Sequence, residues 1–235
     1  MAERLEAVET PLSAAEVAVA LARAWRARTG QTPTREALAV LLAQSALETG
    51  RWGAVRGASI RCHNLGGIKA NPAREDHACY PTREHLPPEV ARRWIVGAGP
   101  AEDGSGLAVQ DTGQRDGTLW VVRVLPPHPA CCFRAWHTLA EGAAAYLALL
   151  RDRYAKAWPH VEVGSPGAFV LALKSLGYFT GNVDEYRVSV ESLWREYLAL
   201  PWPELLEQLD RDDAERAWAL GASTPIENEQ PEGRC

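Results

Sequence analysis

The chain has 235 residues, 46% of them apolar, and a formal net charge of −5. That length can bury a real core, and an acidic balance without a large basic face argues against nucleic acid as a partner. No segment approaches the roughly 18 uninterrupted apolar residues of a membrane-spanning helix, so no membrane insertion is expected.

The first residues are acidic and contain no apolar core, so they do not read as a signal peptide. Ser13-x-x-Glu16 forms a capping box that predicts a helix to about Thr29, with Val17, Ala20, Leu21 and Trp25 on one stripe. Gly30 to Thr34 turns the chain, and Thr34 is placed to cap a second helix. Leu38, Leu41, Leu42, Ser45 and Leu47 surround that helix almost completely, which predicts a central buried element stopping at Gly50. Glu48 then rides its last turn. A carboxyl at the edge of a core has its pKa raised by burial, which is what a general acid for glycoside cleavage needs.

Residues 70–132 lose the helical period and gather proline and glycine. Thr118 to Leu125 is rich in strand formers, Cys79 to Leu86 is a plausible partner strand, and 97–117, with six of the 19 glycines, reads as a loop or lid. A small β-lobe inserted between helices follows. Thr138-x-x-Glu141 then opens a helix to about Trp158, and Ser165-Pro166 opens one that ends before Gly177. Asp184 caps another through Leu198, and 203–220 continues as one or two more. Residues 209–235 carry seven acids against three arginines, and 222–235 read as a disordered acidic tail. The expected fold is α+β, mostly α, in a single domain over 1–221.

Five cysteines, an odd count without a signal peptide, favour reduced thiols over a disulfide framework. Cys62-His63 and His77-x-Cys79 contain the right ligand types for zinc, but their spacing fits no standard zinc module, so packed or idle side chains are expected and no metal. Most of the nine tryptophans are expected to pack, with two or three left to touch a ligand.

Four segments, in order, resemble one known family. They are Ala43 to Gly53, containing Leu-Glu-Thr-Gly-Arg-Trp-Gly; Asn64-Leu-Gly-Gly-Ile-Lys69; Phe133-Arg-Ala-Trp136; and Gly177-Tyr-Phe-Thr180. Together they resemble the bacterial cell-wall glucosaminidases of glycoside hydrolase family 73, in the lysozyme-like superfamily. The resemblance spans roughly residues 12–200. It departs from the family pattern at Thr49 (usually serine), at an inserted Arg51 and at Gly66 (usually phenylalanine).

The resemblance implies a lysozyme-like helical domain whose β-lobe spans about 70–132, with Glu48 as the acid. It puts the second carboxylate on the β-lobe, where Thr82-Arg83-Glu84 matches, so Glu84 is the expected partner, with Asp111 and Asp116 as fallbacks. Tyr178 falls on the family's active-site tyrosine, to orient substrate or stabilise positive charge. Asn64 is expected to hold its turn or contact an N-acetyl group, and Lys69 to pair with a carboxylate or touch a sugar. Trp52 and Trp136 are candidates for stacking on sugar rings. The implied activity is an endo-β-N-acetylglucosaminidase acting on peptidoglycan glycan strands without metal or organic cofactor. An N-acetylmuramidase, a lytic transglycosylase or a non-catalytic wall-binding or particle protein are the alternatives. Synthesis in the cytoplasm would require delivery to the wall by lysis machinery, a secretion device or a phage particle.

Overall fold

The computed structural model describes residues 2–53 and 61–219. The chain divides into one unit that ends at Leu200 and a second that begins at Pro201. In the first, two helices, α1 (Ala14–Thr29) and α2 (Arg35–Thr49), precede a lobe of β1 (His77–Cys79), β2 (Thr82–Leu86), α3 (Pro88–Val96), β3 (Val109–Asp116), β4 (Leu119–Val124) and β5 (Cys132–Arg134). Four helices follow, α4 (Leu139–Ala148), α5 (Trp158–Glu162), α6 (Pro166–Ser175) and α7 (Val183–Leu198). The described part of the second unit is a helix, α8 (Trp202–Ala219). The expected class holds: α+β, mostly helical. No described helix is long and apolar enough to cross a membrane.

Local sequence sets the helix ends. The Ser13 hydroxyl accepts from the Glu16 amide at 3.2 Å, while the Glu16 carboxylate accepts from the Ser13 amide at 2.7 Å. Thr34 accepts from the Ala37 amide at 3.1 Å to start α2, and Gly50 ends it at a φ of 59°. Every residue of α2 from Ala37 to Ala46 is buried, so it is the central helix that its apolar surface predicts. Five helices of the first unit assemble around it: α1, α5 and α7 contact α2, α4 lies against α1, and α6 lies against α7.

Some boundaries differ from expectation. The helix begun at Leu139 does not run unbroken to Trp158; it widens into a π-type turn at Leu149–Arg153, and α5 starts afresh. The cap of α7 is Asn182, whose side chain accepts from the amides of Asp184 and Glu185, so Asp184 lies in the first turn instead.

The lobe holds two small antiparallel sheets, β1–β5 and β2–β4–β3. The expected pairing of Cys79–Leu86 with Thr118–Leu125 is realised as β2 on β4, with Glu84 opposite Val122. The loop expected over 97–117 is shorter, because β3 occupies its second half and pairs with β4 around an irregularity between Asp111 and Arg115. Helix α3 was not foreseen either. Its Pro-Pro start marks a first helical turn, and Ala91 joins Val109, Val122 and Val124 in a core under Trp94 and Ile95.

The expectation of reduced thiols fails at two cysteines. The register of β1 on β5 sets Cys79 opposite Cys132, with Cα atoms 4.1 Å apart, and the two form a disulfide across 53 residues of sequence. Cys62 and Cys131 are free and buried. Cys235 and the expected tail lie outside the described residues.

Candidate active site

Glu48 stands at the C-terminal end of α2, where solvent reaches it although the helix behind it is buried. Its carboxyl Oε1 accepts a hydrogen bond from the Tyr186 hydroxyl at 2.6 Å. The crowding protein raises its pKa, because a carboxylate is poorly solvated there. Hydrogen bonds from Tyr186 and Gln44 act in the opposite direction and are the smaller effects. Glu48 is thus open to solvent on one side and protein-lined on the others, the surroundings of a carboxyl that keeps its proton to higher pH.

One turn earlier on α2, Gln44 is fully buried and organises the floor beneath Glu48. Its amide nitrogen donates to the Tyr178 hydroxyl at 2.8 Å and reaches the Tyr186 hydroxyl at 3.4 Å. Its carbonyl accepts from the Tyr146 hydroxyl, which has the Leu41 carbonyl as a second acceptor at 3.2 Å. Burial and the proximity of Glu48 push all three phenols above their ordinary pKa, so they stay neutral donors. Neutral hydroxyls stabilise a nearby carboxylate less than a cation would, which leaves the desolvation of Glu48 dominant.

The loop after α6 delivers Tyr178, and the first turn of α7 that follows it delivers Tyr186. Lys174 donates to the carbonyls of Thr180 and Gly181 at 2.9 and 2.8 Å, pinning residues 177–181. Tyr178 packs edge-on to Tyr154 at 5.0 Å, while Phe179 stacks on Tyr186 at 4.1 Å. Tyr178 is therefore in the cluster and meets Glu48 through Gln44. Gln44, Tyr146 and Tyr186 were not anticipated. The available signal was a lone amide four residues before Glu48 on an otherwise apolar helix.

The Asn64–Lys69 turn is held from within. Asn64 donates to the carbonyls of Ile68 and Arg134 at 3.0 and 2.9 Å and accepts from the amides of Ile68 and Gly66 at 2.8 and 3.4 Å. That uses its whole hydrogen-bonding capacity, so Asn64 holds the turn and has nothing left for a sugar. The Ser45 hydroxyl ties the turn to α2 by donating to the Leu65 carbonyl at 2.6 Å. At Gly66, a Cβ would sit 3.0 Å from the Tyr146 ring. That close approach is to a tyrosine from α4, which also serves Gln44.

Trp52 does not meet the expectation of a sugar platform. It is 2% exposed, donates its indole N–H to Ser45 at 2.9 Å and packs on Tyr197. The inserted Arg51 points elsewhere and pairs with Glu196 through two contacts of 2.6 and 2.8 Å. Trp136 is half-buried with the Arg134 guanidinium over its ring at 5.3 Å, so part of its face stays open.

On the lobe, Glu84 receives the Lys69 ammonium at 2.7 Å, and Lys69 also donates to the Ala130 carbonyl at 2.6 Å while lying over the Phe133 ring. Lys69 has therefore found a carboxylate, one of the two roles expected of it. Asp111 is paired with Arg115, and Asp116 contacts His85 at 2.7 Å. A cavity of about 590 Å³ lined by Pro81, Thr82, Arg83 and Arg123 lies along β2 and β4, apart from the cluster around Glu48.

Searches for relatives return distant structural likenesses. The glycoside hydrolase domain of FlgJ from Salmonella typhimurium aligns at 18% identity over 89% of this chain and 98% of that domain, with a TM-score of 0.41. A C-terminally truncated form of that domain aligns at 21% identity over 80% and 99%, with a TM-score of 0.42. The catalytic domain of the autolysin Auto from Listeria monocytogenes aligns at 13% identity over 81% and 88%, also with a TM-score of 0.42. No protein-family model and no curated protein matches the chain.

Taken by its own residues, the site offers one crowded carboxyl backed by three neutral phenols and a buried amide. A second carboxylate, Glu84, is ion-paired on the lobe. Such an arrangement can deliver a proton to a leaving oxygen.

Proposed function

We propose that the chain is a peptidoglycan glycosidase of the endo-β-N-acetylglucosaminidase type, with Glu48 as the general acid. The observation that carries this reading is the place of Glu48 at the mouth of the Gln44–Tyr146–Tyr178–Tyr186 network, bonded to the Tyr186 hydroxyl where crowding favours its protonated form. The resemblance of the four ordered segments to family 73 suggests the substrate class.

In this mechanism Glu48 protonates the glycosidic oxygen as the bond to the reducing side of N-acetylglucosamine breaks. Tyr186 holds its carboxyl in place directly and Tyr178 supports it through Gln44, and a phenol oxygen near the reacting carbon stabilises developing positive charge. Water completes the hydrolysis, helped by Glu84 as the second carboxylate or by the substrate's own acetamido group. The Lys69 ion pair at Glu84 lends weight to one other reading. In a lytic transglycosylase a single acid suffices, and Glu84 then has only the structural task of anchoring Lys69.

Mass spectrometry of fragments released from purified peptidoglycan decides the matter. Reducing N-acetylglucosamine ends support the glucosaminidase, and anhydromuramic ends support the transglycosylase. Reducing muramic ends would indicate a muramidase. Binding to wall material without any soluble fragment would overturn catalysis altogether. Delivery to the wall, whether by lysis machinery, a secretion device or a phage particle, belongs to the same proposal.

A further inference from the structure

A second chemical centre lies on the lobe, built from residues that the glycosidase reading leaves unused. His77 and Cys79 alternate onto one face of β1, and Cys132 faces Cys79 across the β1–β5 pair. The possible ligand atoms of these three side chains all lie within 4.8 Å of one another. His77 and Cys132 are buried, and Cys79 is half-buried.

We propose that, once the Cys79–Cys132 disulfide is reduced, His77, Cys79 and Cys132 bind a thiophilic divalent cation, zinc in the first instance. Ligand atoms around tetrahedral zinc stand about 3.5 Å apart, given bonds of about 2.3 Å to sulfur and about 2.0 Å to nitrogen. The ligand atoms span at most 4.8 Å, so binding needs the two sulfurs to separate and the imidazole to close on them by about 1 Å. His77 is prepared for the role. Its Nδ1 lies 2.9 Å from the Glu75 carbonyl, which can only accept, so that nitrogen keeps the proton and Nε2 keeps its lone pair. A metal-binding histidine is commonly oriented by such a hydrogen bond to a backbone carbonyl. The backbone of His77 is fixed as well, by the Glu3 carbonyl at 3.0 Å and the Leu5 amide at 2.8 Å. Two thiolates and one imidazole select zinc over magnesium or calcium. Cys131 stays outside the set, since its thiol donates to the His128 carbonyl at 3.0 Å.

The two states exclude each other because they use the same sulfurs. Two molecules of a thiol reductant give two electrons and two protons to the disulfide, leaving two cysteine thiols and one reductant disulfide. Zinc then displaces the two thiol protons into water and forms two Zn–S bonds and one Zn–N bond. The fourth position is left to water. Either cross-link ties β1 to β5 at the same point, so the lobe carries a staple suited to reducing conditions and another suited to oxidising ones.

Titration with Co²⁺, a spectroscopic stand-in for zinc, tests this on the whole chain. The protein is reduced with a phosphine, freed of it without oxygen, and compared with the oxidised form. One equivalent of Co²⁺ should produce thiolate-to-cobalt absorption and tetrahedral d–d bands in the reduced protein, with none in the oxidised protein. His77→Gln should weaken binding at least tenfold, and Cys79→Ser should abolish the thiolate band. Should those variants misfold, alkylation of the wild type still decides. Zinc should slow labelling of Cys79 and Cys132 at least tenfold. No stoichiometric binding to the reduced chain, equal binding to the oxidised chain, indifference to His77→Gln in a folded protein, or unprotected Cys79 and Cys132 would each overturn the proposal.

Discussion

Replacing Gln44 with leucine tests the network beneath Glu48 with a side chain of similar volume and no polar atoms. The substitution removes the donor to Tyr178 at 2.8 Å, the weaker contact to Tyr186 at 3.4 Å and the acceptor for Tyr146. Tyr146 retains the Leu41 carbonyl and Tyr186 retains Glu48, so Tyr178 is the group left without its donor. Losing three hydrogen bonds at about 1 kcal/mol each, partly offset by burying an apolar side chain in place of an amide, leaves a net cost of about 2–3 kcal/mol. For a protein of this size each kcal/mol moves Tm by about 2–4 °C, so the midpoint should fall by about 4–12 °C in a calorimetric scan. Losing the Gln44 hydrogen bond also removes an influence that lowers the Glu48 pKa. Glu48 should stay protonated to higher pH, and the basic limb of the pH profile of kcat/KM should move upward. A Gln44→Leu protein within about 0.5 kcal/mol of wild type, with an unshifted profile, would refute both the network and its influence on Glu48.

Tyr186→Phe keeps the stack on Phe179 but deletes the donor to Glu48; the basic limb should again move to higher pH, as measured on soluble glycan fragments. Glu48→Gln should make the fold more stable near neutral pH. The folded-state pKa lies above the ordinary 4.5, so ionising Glu48 costs stability as pH rises through and beyond that value, and glutamine escapes this cost. The advantage should vanish below the ordinary carboxylate range, which thermal scans across pH would show. At Gly142 an added Cβ would stand 2.1 Å from the His63 carbonyl oxygen. Gly142→Ala should therefore destabilise by about 1–3 kcal/mol in denaturant titrations, and wild-type stability there would mean that α4 does not pack so closely on the residues before Asn64.

What could be seen in the sequence followed the strength of local signals. Two capping boxes, the Thr34 cap and the Gly50 stop placed α1, α2 and the start of α4, because each depends on residues within one helical turn. Glu48 at the end of a buried helix was legible for the same reason. Long-range partnerships were not. The Cys79–Cys132 disulfide depends on the register of two three-residue strands separated by most of the lobe, which no local pattern encodes. Gln44, Tyr146 and Tyr186 come together only when α2, α4 and α7 are assembled. Trp52 shows the converse limit: next to Glu48 in sequence, it turns inward because Ser45 offers its indole a buried acceptor.

Activity of Glu48→Gln protein on cell-wall suspensions tests the central claim most directly, with circular dichroism to show that the fold is kept. General acid catalysis contributes about 10²–10⁴-fold. The variant should therefore clear walls at least a hundredfold more slowly than wild type while still pelleting with insoluble peptidoglycan. Clearance at the wild-type rate would contradict the assignment of Glu48 as the acid.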